Sequence, residues 1–277
     1  MGEFDGEYVT LESVRRTVGI ASTEISDTDV KAIIDEIEPQ ISRHFNAVFT
    51  PKTIIENRVG NSTYRMILRR NPVLAVRDLY IDGTQEDTAN LTVFKESGKI
   101  ELNSDATAST FAKGDKINVV KYIHGWVEES SVNSTSSAAE IAGTDVSIAL
   151  ASITGFADED WVEIYGMDGF REVAQINATP GAGAIVVDQL VQTHELGSTV
   201  VKLQISPIMS KLMNVACALA MVARIVGQSY TDIVGYNLGE LRVQKGEPYT
   251  QFRETALQLI RERDRLMSEI KPRPAVM

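Results

Sequence analysis

The chain has 277 residues, of which 43% are hydrophobic and 23% are charged, so it is long enough to bury the core of one large domain or two small ones. Its formal charge of −11 argues against a protein that binds nucleic acid over its whole surface, because the phosphates would be repelled. The same charge does not forbid the passage of DNA through a ring lined by carboxylates, where repulsion keeps the duplex from sticking. A halophilic host is a second explanation for the acidity.

Neither a signal peptide nor a membrane span is expected. Residues 1–7 lack the basic start and the apolar run of a secretory signal. The longest uncharged apolar stretch, residues 212–223, is shorter than the roughly 18 residues that cross a bilayer. The single cysteine, Cys217, lies within that stretch, which predicts a buried thiol and no intrachain disulfide, as suits assembly in a reducing cytoplasm.

Two helices are predicted at the start of the chain. Thr10 is a suitable N-cap for a short helix that ends at Gly19. Ser26 begins a capping box for a longer helix over residues 27–45, whose apolar residues recur every three or four positions. Pro39 removes one backbone hydrogen bond inside that helix, so we expect a kink or a break just before it.

A small antiparallel sheet is predicted next. Residues 53–59 and 64–68 flank the turn signal Gly60-Asn61-Ser62, so we expect these two segments to form a hairpin. Further strands are predicted over residues 73–81, 91–94, 99–102 and 116–122, with turns at Asp82-Gly83 and Ser97-Gly98.

An inserted domain is predicted after this sheet. Residues 130–139 are rich in Ser, Asn and Ala without periodicity, which is the composition of a linker. Five short strands within about sixty residues then indicate a small barrel or sandwich; they are expected at residues 146–150, 161–165, 170–176, 184–187 and 199–203. We therefore predict two domains, a discontinuous one of residues 1–129 plus 206–277 and an inserted all-β one of residues 130–205.

The predicted fold class is α+β, with N-terminal helices, a small antiparallel β core and long C-terminal helices. Pro207 stands where a first-turn proline belongs and opens a helix of about 20 residues with a broad apolar face. Core packing explains that face, and a neighbouring subunit could cover part of it. Residues 227–247 are predicted to be a loop, and a final helix is expected from Thr250, followed by an extended or disordered tail at 271–277. The predicted apolar face of this final helix consists of Phe252, Ala256, Leu259, Ile260, Met267 and Ile270.

No catalytic, cofactor or metal site is predicted. The three histidines, His44, His124 and His194, are far apart in sequence and none has a partner at metal-ligand spacing. The cluster at 158–160 lacks the alternating oxygen ligands of a calcium loop, and Gly181 and Gly183 lack the continuation of a phosphate-binding loop. We therefore expect a protein that is not an enzyme.

The order of several segments resembles the head–tail connector (adaptor) proteins of tailed bacteriophages. The segments that carry the likeness are the opening Tyr8-Val9-Thr10-Leu11, the run from Asn71-Pro72-Val73 to Asp82-Gly83, the Ser97-Gly98 turn, the ending from Tyr122 to Trp126, and the helix at Pro207. The resemblance covers about residues 7–127 and 206–226, roughly half of the chain. It departs at 130–205, where the family passes directly into the helix that here begins at Pro207.

The resemblance implies a structural virion protein without a cofactor, assembled in the host cytoplasm and located in the neck of the virion. About twelve copies would form a ring that docks beneath the portal protein, and the lower face of the ring would receive a stopper or tail-completion protein. DNA would pass through the lumen without specific binding, and no membrane would be involved. The C-terminal helix would contact the portal or the neighbouring copy, with Phe252, Leu259, Arg261, Arg265 and Met267 as candidate interface residues.

Two alternatives stay open. The first is another structural component of the neck or the baseplate. The second is a binding module within residues 130–205 that recognises a host surface or a glycan. That reading requires exposed aromatic side chains, and Trp161, Tyr165 and Phe170 are the candidates.

Overall fold

A computed structural model of the chain describes residues 6–20, 25–166, 169–178, 183–233 and 248–270. The chain separates into two compact units, a helical unit of residues 1–46 and 206–275 and a β unit of residues 47–205. The predicted α+β class is confirmed, since four α-helices and antiparallel sheets are present in the described part. The predicted tail at 271–277 and residues 179–182, which include Gly181, lie outside the described residues.

The first two helices form where their caps predict. Helix α1 spans Leu11–Val18, with Thr10 as N-cap and Gly19 as a left-handed C-cap at φ 75°. Helix α2 spans Asp27–Phe45 and is capped by the Ser26 side chain. The helix runs through Pro39 without a break, so the expected break is wrong, and the kink stays a prediction.

Two longer helices complete the helical unit. Helix α3 spans Pro207–Ile233 and packs against α1, α2 and helix α4, which spans Pro248–Glu269. The loop predicted at 227–247 is therefore wrong for 227–233, which are helical; 234–247 lie outside the described residues. One stretch of the described chain, Pro207–Ile225, is long and apolar enough to cross a membrane, a property that buried core helices share. Here its apolar side faces the other helices, and Met209, Leu212, Met213, Val215, Cys217, Ala218, Met221 and Val222 are buried.

A buried carboxylate fixes the start of the chain onto the helical unit. Glu38 of α2 accepts hydrogen bonds from the backbone N–H groups of Glu7, Tyr8 and Val9 at 2.9–3.0 Å. Gly6 is needed beside it, because a Cβ there would lie 2.3 Å from Ile34 Cγ2. The N-terminal segment is thus part of the folded unit.

The β unit begins with seven strands: β1 Lys52–Gly60, β2 Arg65–Ile67, β3 Val73–Ile81, β4 Thr84–Glu86, β5 Leu91–Phe94, β6 Lys99–Leu102 and β7 Gly114–His124. They form a four-stranded sheet in the order β1-β7-β3-β4 and a three-stranded sheet in the order β2-β6-β5. The predicted hairpin of 53–59 with 64–68 is wrong, because β1 pairs with β7 and β2 pairs with β6. The turn at Asn61 changes the chain direction but leads into the other sheet.

Six more strands follow: β8 Val127–Thr135, β9 Gly143–Ala149, β10 Trp161–Tyr165, β11 Arg171–Ala178, β12 Ala184–Leu190 and β13 Thr199–Ile205. They form one antiparallel sheet in the order β8-β13-β10-β11-β12-β9. The predicted linker at 130–139 is wrong over 130–135, which belong to β8 and pair with β13. Five of the nine residues of β8 are exposed, so its polar composition resembles that of a loop.

The boundaries of the compact units differ from those of the predicted domains, because the first boundary lies at residue 46 and not at residue 129. The two β regions lie in one unit, joined by a buried cluster of Ile123, Val173 and Leu203 against which Trp161 packs. Whether residues 130–205 also form a separate folding domain stays a prediction.

Candidate functional site

The predicted interface residues on α4 differ in their exposure. Leu259 is 8% exposed and faces the interior of the helical unit, whereas Arg261 and Arg265 are exposed. Met267 is half-buried, and the adjacent Leu266 takes the core position at 1% exposure. Phe252 lies in the first turns of the helix, with its side chain outside the described part of the structure.

The exposed side of α4 carries a charge network that reaches α3. Arg265 donates to Glu262 at 2.8 Å and also pairs with Glu269, while Lys211 of α3 lies 2.5 Å from Glu262. The hydrogen bond from Arg265, followed by that from Lys211, lowers the pKa of Glu262 to about 2. The charge of Arg265 is therefore already engaged within the helical unit. Leu257, which is 44% exposed, lies one turn before the exposed Arg261 and shares its side of the helix.

The other residues singled out from sequence are not gathered into one site. Within the residues that the structure describes, no three His, Cys, Asp or Glu side chains are placed to hold a metal ion. His44 is exposed and stacks edge-on against Phe45, while His124 and His194 are buried. In the acidic turn, Asp160 pairs with Lys202 at 2.7 Å. The predicted burial of Cys217 is confirmed, and burial raises the pKa of its thiol to about 12.

A buried ionic network joins the two β regions, and sequence analysis missed it. Arg77 of β3 is 3% exposed; it lies 3.3 Å from Glu172 of β11 and 3.1 Å from Asp188 of β12, and it also donates to the Gln189 carbonyl. The Nε2 of the buried His194 lies 3.2 Å from Glu172. A charged residue in the middle of the apolar strand 73–81 was the signal that could have indicated such a partner.

A cleft of about 470 Å³ lies beside this network, between the β3–β5 region and the β11–β12 region. Several of the polar side chains that line it are engaged with protein groups: Lys95 donates to Glu163 at 2.5 Å, and Thr92 donates to Asn103 at 2.7 Å. The cleft is thus mainly a junction between the two β regions. Phe170, at 41% exposure, lines it.

The aromatic residues of the glycan-binding alternative are only partly available. Trp161 and Tyr165 are half-buried, and the Arg171 guanidinium lies 4.3 Å from the centre of the Tyr165 ring. Phe170 is the exposed member of the three. Three stacked, open rings, the arrangement that favours sugar binding, do not occur at these positions.

A further buried carboxylate belongs to β1 itself. Glu56 accepts a hydrogen bond from the Tyr122 hydroxyl at 2.7 Å and from the Arg69 N–H at 3.1 Å. Burial, and next the Glu56 contact, raises the pKa of Tyr122 above its ordinary value. Burial also lowers the pKa of the nearby His124 to about 4, with smaller contributions from Arg70 and Lys52. These groups hold the strands together.

The comparisons with known proteins add no identification. The sequence matches no protein-family model, and no curated protein matches it.

Proposed function

We propose that this protein is a head–tail adaptor, a structural virion protein that forms a ring beneath the portal and connects the capsid to the tail. The observation that carries the proposal is the order and pairing of its elements. Two capped helices precede an antiparallel sheet in which β3 and β7, the strands of the connector-like segments, are neighbours. The helix that begins at Pro207 then packs against both N-terminal helices.

The outer side of α4 supports a role in portal binding. Leu257 and Arg261 together offer an apolar and a cationic group on one exposed side, in an arrangement that fits an acidic, partly apolar partner surface. Leu259, which was expected to be an interface residue, is instead buried and packs within the helical unit.

The region 130–205 is proposed to be a small barrel. Its edge strands β8 and β9 approach one another at one end, where Ser136 and Leu150 form a bridge. The Ser137 N–H donates to the Ala149 carbonyl at 2.8 Å, and the Ala151 N–H donates to the Thr135 carbonyl at 2.9 Å. These bonds join the first and last strands of the six-stranded order, which supports closure.

Point variants test portal binding more sharply than a deletion. Removing residues from Thr250 onward would also uncover the side of α3 that α4 covers. We expect the double variant Leu257→Asp/Arg261→Glu to bind the portal protein of the same genome at least about tenfold more weakly, with an unchanged circular dichroism spectrum. Arg16→Glu is the matched control, since Arg16 is an exposed arginine on α1. Equal portal binding by the double variant and the control would contradict the assignment of this surface.

A further inference from the structure

Exposed apolar side chains of the β unit concentrate in two places. On β1 and β2 and in the segment between them, Ile55, Val59, Tyr64 and Ile67 are 65%, 62%, 45% and 44% exposed. The second place is a short ladder in which residues 136–142 run antiparallel to residues 193–198. This ladder carries two exposed apolar residues, Ile141 at 76% and Leu196 at 62%.

The first place is a groove between two open sheet edges. Strand β1 is at the edge of the four-stranded sheet, and β2 is at the edge of the three-stranded sheet. A groove of about 570 Å³ lies between them, lined by Val59, Tyr64, Arg65, Ile67 and other residues. Open edges with exposed apolar residues are association surfaces unless something covers them.

The segments that contain the two places carry opposite formal charge. Residues 47–70, which contain the groove strands, hold five basic residues and one acidic residue, a formal charge of +4. Residues 127–205, which contain the ladder, hold twelve acidic and two basic residues, a formal charge of −10. In the ladder itself, the exposed Glu195 adjoins Leu196. Three basic residues line the groove, Arg58, Arg65 and Lys99, and they pair with only two carboxylates, those of Glu56 and Glu101. The groove therefore keeps a net positive charge that matches the exposed Glu195 of the ladder.

We propose that the groove of one copy receives the ladder of the next copy of this chain. Each copy then carries both halves of one head-to-tail interface, which propagates into a closed ring or an open filament. This deepens the adaptor proposal, on which it rests, by naming the contact between neighbouring copies. It also gives the 127–205 region a role in assembly.

A second copy fits the groove better than DNA does. The groove exposes the apolar side chains of Val59, Tyr64 and Ile67. Charged phosphates would not make apolar contacts with them. The guanidinium of Arg65 lies 2.6 Å from Glu101, so part of the positive charge is already neutralised. The positive charge that remains on residues 47–70 attracts an acidic protein surface, and residues 127–205, with a formal charge of −10, supply one.

The test uses one variant on each half. Val59→Asp places a charge in the groove, and Leu196→Asp places one on the ladder; both side chains are exposed, so both variants are expected to fold. In sedimentation velocity over a concentration series, each variant alone should self-associate at least about tenfold more weakly than the wild type. A mixture of the two should form dimers and nothing larger, because only one groove and one ladder remain intact per pair.

The controls separate this proposal from the adaptor function. Leu257→Asp alters an exposed leucine of α4 and should retain self-association even though it weakens portal binding. Two results would overturn the interface: a wild-type protein that stays monomeric at every concentration, or variants that associate like the wild type. Neither result would contradict the proposed binding to the portal. A short duplex DNA that binds the wild type and not Val59→Asp would also overturn it, in favour of a nucleic-acid surface.

Discussion

Replacing Arg77 by Met should destabilise the β unit by about 3 kcal/mol. Arg77 is 3% exposed, and its removal leaves the Glu172 carboxylate, at 6% exposure, without its buried cation. Breaking a buried pair by removing one partner costs about 3–5 kcal/mol. The lower end applies here, because Glu172 keeps hydrogen bonds from two backbone N–H groups and the contact with His194, while Asp188 is only partly buried.

Urea unfolding followed by tryptophan fluorescence measures this loss directly. Both tryptophans, Trp126 and Trp161, lie in the β unit, so the signal reports that unit alone. At about 2–4 °C per kcal/mol for a unit of this size, the melting temperature should also fall by roughly 6–12 °C. Arg69→Met is the control: its side chain is 72% exposed and its Nε lies 3.5 Å from Glu56, so the loss should stay under about 1 kcal/mol.

The double variant Arg77→Met/Glu172→Gln should recover part of the loss, since it removes the buried charge that the single variant leaves alone. An Arg77→Met protein that unfolds at the same urea concentration as Arg69→Met would refute the reasoning. It would mean that the network contributes no more than an exposed ion pair.

Three further predictions concern other buried groups. Burial lowers the pKa of His124 to about 4, so below pH 6.5 the unfolded chain binds a proton that the folded protein does not. The free energy of unfolding should therefore fall by up to about 3 kcal/mol as the pH drops from 6.5 to 4, and His124→Phe should reduce that fall. Parallel pH profiles of stability for the two proteins would contradict this prediction. With a pKa of about 12, Cys217 should not react with a thiol reagent at pH 8 until denaturant is added, and rapid reaction of the native protein would show that the thiol is accessible. Glu38→Gln should weaken the three hydrogen bonds to the N-terminal segment and lower the free energy of unfolding of the helical unit by about 1.5–3 kcal/mol. Thermal unfolding followed by circular dichroism measures this loss. An unchanged melting curve would show that other contacts hold the segment.

Local signals in the sequence predicted individual elements well. Strand β3 has the predicted bounds, 73–81, and the Asp82-Gly83 turn after it adopts the left-handed conformations that pair β3 with β4. Thr10 and Ser26 act as the predicted caps. These features depend on side chains within a few residues of one another, which is the range that a sequence pattern records.

Long-range partners were not predictable in the same way. The turn at Gly60 indicated a change of direction, but the choice of β7 as partner of β1 depends on residues more than fifty positions away. The 130–135 strand was missed because most residues of β8 are exposed, so the strand contains few apolar residues. On α4, the 3–4 spacing placed Leu259 correctly but assigned Met267 to a core position that Leu266 occupies.

The most direct test of the central claim is electron microscopy of the purified protein mixed with the portal protein of the same genome, with each component imaged alone. The adaptor account predicts a ring of this protein seated on the narrow, outward end of the portal, and loss of that ring with Leu257→Asp/Arg261→Glu. Bare portals beside free copies of this protein, at concentrations where both are folded, would contradict it.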